Sequence, residues 1–130
     1  MYIEFNSNPV ARTIGDCAVR AIAKALDTSW EFAYIMLALN GLKMGNLMNG
    51  NDVISATLRD SGFRKANIPN TCPDCMTIRE FAELNQTGTY VVGTGTHVVC
   101  IDAGDYYDIW DSGDEPIICV WYENVNPRFE

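Results

Sequence analysis

The chain of 130 residues holds a single histidine, His97, and few positive charges: nine Lys and Arg stand against seventeen Asp and Glu, for a formal net charge of −8. Those nine are scattered. No basic stripe is available to follow a phosphate backbone, so nucleic-acid binding is not expected. No apolar run reaches the ~18 residues of a membrane span, so no membrane partner is expected either. The opening residues, Met1-Tyr2-Ile3-Glu4-Phe5-Asn6, lack the basic segment and apolar stretch of a secretory signal. Cysteine is odd in number: Cys17, Cys72, Cys75, Cys100 and Cys119. An odd count without a signal argues for reduced thiols and a cytoplasmic protein. There is no internal repeat and no low-complexity segment, and the length suits one domain over residues 1–130.

Enough apolar residues are present for a core without staples, 48% of the chain. Residues 1–15 read as an extended polar lead-in. A helix is expected from Asp16 or Cys17, because Val19, Ile22, Ala23 and Leu26 keep the spacing of a buried stripe. A second is expected from Thr28 or Ser29, with Thr28 and Glu31 as a capping box, Trp30 to Leu39 as an apolar body, and Asn40-Gly41 as the stop. Trp30, Phe32, Tyr34, Ile35 and Leu39 read as core. Gly41, Gly45 and Gly50 mark a loop over 41–51. A third helix follows to Arg59, its apolar positions Val53, Ile54, Thr57 and Leu58. Residues 62–76 read as irregular, and Thr77 with Glu80 opens a fourth helix. After Gly88 the period changes. Strands are expected over 89–92, 97–101, 106–110 and 117–122, separated by Gly-containing hairpin turns. Helices followed by an antiparallel meander predict an α+β fold.

One thiol stands out by position. Gly15-Asp16-Cys17-Ala18 puts Cys17 at the start of the first helix. There the partial positive charge and unpaired N–H groups of the helix end favour a thiolate and an oxyanion. A thiol needs a base, and His97 opens the apolar run His97-Val98-Val99-Cys100-Ile101. An acid lies one hairpin away. If residues 103–105 form the turn, His97 falls opposite Asp111, close enough to orient the imidazole. Asp108 has the opposite parity and is the alternative acid.

Cysteine at a helix start, then histidine on a strand, then an acid at the end of the next strand, resembles the papain-like cysteine peptidases. The likeness is nearest to bacteriocin-leader peptidases and their small phage and bacterial relatives, and it spans roughly residues 8–113. It implies N-terminal helices packed on a C-terminal antiparallel sheet. It also implies a Cys17–His97–Asp111 triad acting on a peptide or protein, with no metal or organic cofactor. In that family a glutamine six positions before the cysteine completes the oxyanion hole. Ala11 stands there in this chain, and Asn8 is the preferred substitute, ahead of Asn6. Hydrolysis, acyl transfer to an amine, and an inactive binding module remain three readings of the same residues. Oligomeric state is left open.

Two further patterns are weaker. Cys72-Pro73-Asp74-Cys75 has half the spacing of a zinc site, and a loop carrying two thiols is the plainer reading. Asp102, Asp105, Asp108, Asp111 and Asp114 lack a calcium-loop signature and read as a solvated hairpin edge.

Overall fold

A computed structural model describes residues 1–69 and 75–125. Its elements in chain order are β1 (Tyr2–Glu4), α1 (Cys17–Ala25), α2 (Trp30–Met44), α3 (Asn51–Asp60), β2 (Phe63–Asn67), α4 (Ile78–Leu84), β3 (Thr89–Gly93), β4 (Val98–Asp102), β5 (Asp105–Asp108) and β6 (Cys119–Glu123). The fold is α+β, with a six-stranded sheet in the order β1-β5-β4-β3-β6-β2. No helix among the described residues is long and apolar enough to cross a membrane.

The sheet is mixed rather than purely antiparallel. β1, part of the polar lead-in, pairs parallel with β5, and every other pairing is antiparallel. The meander is also shorter than expected. β3, β4 and β5 follow one another, but β6 returns to the far side of β3. β2, within a stretch read as irregular, completes the edge beside β6. Its burial explains the omission: only Phe63 is buried, and Arg64 and Lys65 face solvent. Such an edge strand has no apolar alternation to announce it.

Strand side chains alternate between two cores, as a period of two requires. Val91, Cys100 and Trp121 point to one face and pack with Ile22 of α1, Leu37 of α2 and Val53 and Leu58 of α3. Tyr90, Val92, Val99, Ile101 and Val120 point to the other and pack with Ile78, Phe81 and Ala82 of α4. The three N-terminal helices therefore cover one face and α4 covers the other. Each fully buried aliphatic here is worth about 1.5–3 kcal/mol. α1 is the central helix. Ala18 to Ala23 are all buried, the charged Arg20 among them, and α1 lies against β4, α2 and β5.

Helix ends follow local chemistry with small shifts. Thr77 and Glu80 form the expected capping box on α4. The cap of α2 is Ser29, which accepts from the Phe32 N–H, so Thr28 is not the cap. α2 also runs through Asn40-Gly41 to end at Gly45, whose φ of +68° is the left-handed cap glycine provides. Gly41 is there for space, since a Cβ on it would lie 2.8 Å from the Asn46 carbonyl oxygen. On α2 the expectation of a wholly buried apolar body fails: Phe32, Tyr34, Ile35 and Leu39 are exposed. The hydrophobic positions run all round this helix, and only Ala33, Leu37 and Gly41 are buried.

Cys100 and Cys119 are free and buried, as their place in apolar strands implies. Cys75 is disulfide-bonded, which corrects the expectation that all thiols are reduced. Cys72, the other cysteine of the zinc-like spacing, lies outside the described residues.

Candidate functional site

Three segments converge at one end of the sheet. α1 begins at Cys17. The turn after β3 delivers His97, held by a hydrogen bond from the Thr94 N–H to the His97 carbonyl at 2.9 Å. β5 ends on Asp108. A cleft of about 520 Å³ opens over them, lined by Cys17, Arg20, His97, Trp110, Asn49 and Asn51 among others.

Cys17, His97 and Val98 line the same cleft, and the ring and the Val98 N–H both favour the Cys17 thiolate. The other edge of the ring faces a carboxylate, with His97 Nε2 2.7 Å from Asp108 Oδ2. That engagement leaves Nδ1 for the thiol. Trp110 packs beside the ring, their centroids 5.3 Å apart and their planes tilted by 35°.

The carboxylate beside the ring is Asp108, which corrects the placement of Asp111 there. Asp111 is half exposed and belongs to another cluster. Its Oδ1 accepts from Tyr106 Oη at 2.5 Å and from the Gly113 N–H at 3.1 Å, and it lies 3.4 Å from Arg79 of α4. The cause is turn length. Asp102 pairs with Asp105 across a two-residue turn, Ala103-Gly104, both residues at positive φ. This left-handed pair is the tight hairpin usually signalled by Asn-Gly, and Ala-Gly hid it. A three-residue turn puts 97 opposite 111, whereas the two-residue turn puts it opposite 110. Asp108 is then the diagonal neighbour on the same side, and a one-residue slip exchanges the faces.

Asp108 is almost fully enclosed, with its side chain 1% exposed. Besides His97 it accepts from Ser112 Oγ (2.7 Å, Oδ2), the Ile109 N–H (2.8 Å, Oδ1) and Arg20 (3.1 Å, Oδ1). Arg20 also bonds Asp16, the residue before Cys17, and Asp16 Oδ2 accepts from Trp30 Nε1 at 2.8 Å. Sequence reading missed Arg20 and Ser112. An arginine inside a helical stripe announces nothing until its acid, 88 residues on, is brought beside it.

These contacts set the charges. Burial pushes the Asp108 carboxyl up, but the hydrogen bonds from His97 and Ser112 outweigh it and hold the group below the usual range. Burial disfavours the His97 imidazolium, yet the Asp108 and Cys17 hydrogen bonds overcome that and raise the ring to about 9. Burial likewise raises the Cys17 thiol, and the bonds from His97 and Val98 more than reverse it, leaving the thiol below its ordinary value. Cys100 and Cys119 go the other way, pushed up by burial. Of these three free thiols only Cys17 is poised to ionise, as an opposite charge beside it requires.

Neither lead-in asparagine reaches the cleft. Asn8 is buried in its own turn, with Oδ1 accepting from the Val10 N–H at 3.0 Å, and the Asn6 amide donates to the Arg12 carbonyl at 3.3 Å. Asn8 is thus corrected as the source of an oxyanion donor. The amides that do line the cleft, Asn49 and Asn51, come from the loop before α3 and its first residue. The only sequence signal for them was an Asn-rich loop. Asp16 stands at the N-cap of α1 but makes no capping bond. Its carboxylate is turned to Arg20 and Trp30, so it leaves the first N–H groups of the helix uncapped by its side chain.

Beside the cleft, and sharing Ile14, Gly15 and Asn49 with it, lies an apolar hollow of about 300 Å³ walled by Trp30, Tyr34, Leu47 and Met48. Comparison with protein-family models, with curated proteins and with solved structures finds no match for this chain.

Proposed function

We propose that this chain is a cysteine-type peptidase or amide hydrolase using Cys17, His97 and Asp108, in a papain-like arrangement. The single observation behind the reading is the thiol–imidazole–carboxylate series. Cys17 and His97 line one cleft, the ring favouring the thiolate, and His97 Nε2 lies 2.7 Å from Asp108.

The chemistry follows from the charges. Cys17 Sγ, as thiolate, attacks the acyl carbon of an amide. The C–N bond breaks, and the proton held by His97 passes to the departing amine. Water then attacks the thioester, losing a proton to His97, and the acid and free thiolate are released as the ring returns to imidazolium. Asp108 keeps the ring oriented and stabilises its charge. The Cys17 N–H at the helix start supports the oxyanion. The side chain next to the acyl carbon fits the apolar hollow under Trp30 and Tyr34, which favours a peptide substrate with an apolar residue there. No metal or organic cofactor enters this scheme. If an amine replaces water in the second step, the same residues transfer the acyl group.

One observation favours the inactive binding module instead: neither Asn6 nor Asn8 supplies the missing glutamine's amide. Thiol labelling decides between the two. The whole chain is treated with iodoacetamide at pH 6–7, and the modified cysteines are located by peptide mass spectrometry. We expect Cys17 to react at least about tenfold faster than a free thiol control, and His97→Ala to abolish the advantage. A Cys17 rate equal to the control at every pH refutes the enzyme reading.

A further inference from the structure

The charged core of α1 is unusual chemistry for a central helix. Arg20 has a side chain 4% exposed, and its two acid partners, Asp16 and Asp108, are 5% and 1% exposed. A buried ion network is weak evidence for stability, because apolar residues of the same volume often serve as well or better. Its geometry is more informative. One guanidinium nitrogen takes Asp16 and another takes Asp108, while Nε has no partner among the described residues. The planar fork is committed to spanning two carboxylates.

The network closes on itself. Trp30 of α2 holds Asp16, Asp16 holds Arg20, Arg20 holds Asp108, Asp108 holds His97, and His97 holds Cys17. From Asp16 onward the circuit starts and ends on neighbouring residues, the N-cap of α1 and its first residue, Cys17. Arg20 lies one helical turn from the thiol, on the same side of α1. We propose that Arg20 is a positioning residue. By bridging Asp16 to Asp108 it locks the helix that carries the thiol to the strand end that carries the acid, and so sets the fit between Cys17 and His97. The role rests on the thiolate–imidazolium reading above.

Among the described residues, Ser112 and the Ile109 N–H also face Asp108. Around the thiol stand His97, the Val98 N–H and Arg20. Around the ring stand Asp108, Cys17 and Trp110, with Glu115 across a hollow on the far side. Lys24, the next cation on α1, is engaged elsewhere, 4.4 Å over the Tyr107 ring.

The test uses the intact chain and the pH profile of Cys17 alkylation. Arg20→Met removes charge and fork, whereas Arg20→Lys keeps a charge and loses the fork. Both variants are checked for folding by circular dichroism and Tm. If the fork positions the pair, the acid limb moves up by about one unit in each, a tenfold slower reaction at pH 6. A folded Arg20→Met with the wild-type profile overturns the proposal, as does an Arg20→Lys profile equal to wild type, which would leave charge alone as the cause. If Arg20→Met does not fold, Arg20→Lys decides. A lowered Tm with an unmoved profile is a purely structural role and also overturns it. The underlying reading fails separately: in that case wild-type Cys17 itself follows an ordinary thiol profile.

Discussion

Replacing Asp108 by asparagine removes one charge and almost no volume, which makes it the sharpest probe of the acid. His97 is raised from 6.5 to about 9 despite burial that pushes it down. A shift of that size corresponds to about 3 kcal/mol between the two ring states, trimmed toward about 2 kcal/mol by water at the open edge of the ring. The carboxylate 2.7 Å from Nε2 is the main source, with Cys17 the second. In Asp108→Asn the ring should therefore titrate about two units lower, near its ordinary value. The thiolate then loses its partner at neutral pH, and Cys17 alkylation at pH 6 should slow by about tenfold or more. His97 is the only histidine, so one imidazole line in a proton NMR titration reports the ring without assignment. Asp111→Asn is the control: Asp111 contacts Tyr106, Gly113 and Arg79 and not His97. Its variant should leave the line within about 0.3 units of wild type. A line still near 9 in Asp108→Asn, or a drop in Asp111→Asn, refutes the assignment of the acid.

Acid stability tests the same group with a defined sign. Asp108 sits below its usual 3.8 in the folded chain, so its contribution is complete above that value and is lost as pH falls below it. Between pH 5 and 2 the urea midpoint should fall in wild type and fall less steeply in Asp108→Asn; parallel curves would contradict the sign. Thr77→Ala breaks the capping box of α4 on the sheet face opposite α1. It should cost about 1 kcal/mol in urea unfolding and leave Cys17 labelling unchanged. A loss of labelling without unfolding would show that the two faces are coupled.

What was readable in the chain follows from how local each signal is. The starts of α1 and α4, the buried stripe of α1 and the capping box at Thr77 depend on residues within one or two turns, and they appear where expected. β1 and β2 were hidden because three residues of lead-in and an edge strand with charged side chains carry no alternation. The order of strands was hidden because β6 has to choose between β5 and β3, and nothing in its own residues records the choice. Burial on α2 misled for a related reason: a helix apolar on every side does not say which side is covered.

The acid is the instructive case, since both candidates were named and the wrong one preferred. Pairing His97 with Asp111 assumed a three-residue turn. The chain makes a two-residue one, with Ala103 at φ +51° and Gly104 at φ +84°. One residue of turn length inverts every later parity in a hairpin, so a site that crosses the turn inherits the error whole. Cys17 and His97 were protected from it because their identification depended on scarcity and on a helix start, not on register. Arg20 was beyond reach on either route. Its pattern is that of any helix residue, and its charge acquires meaning only when the two-residue turn brings Asp108 in line with α1. The same small turn therefore selects the acid for His97 and completes the ion network behind it. Lengthening that turn by one residue should disturb both together, whereas changes to the turn before His97 should move the ring alone.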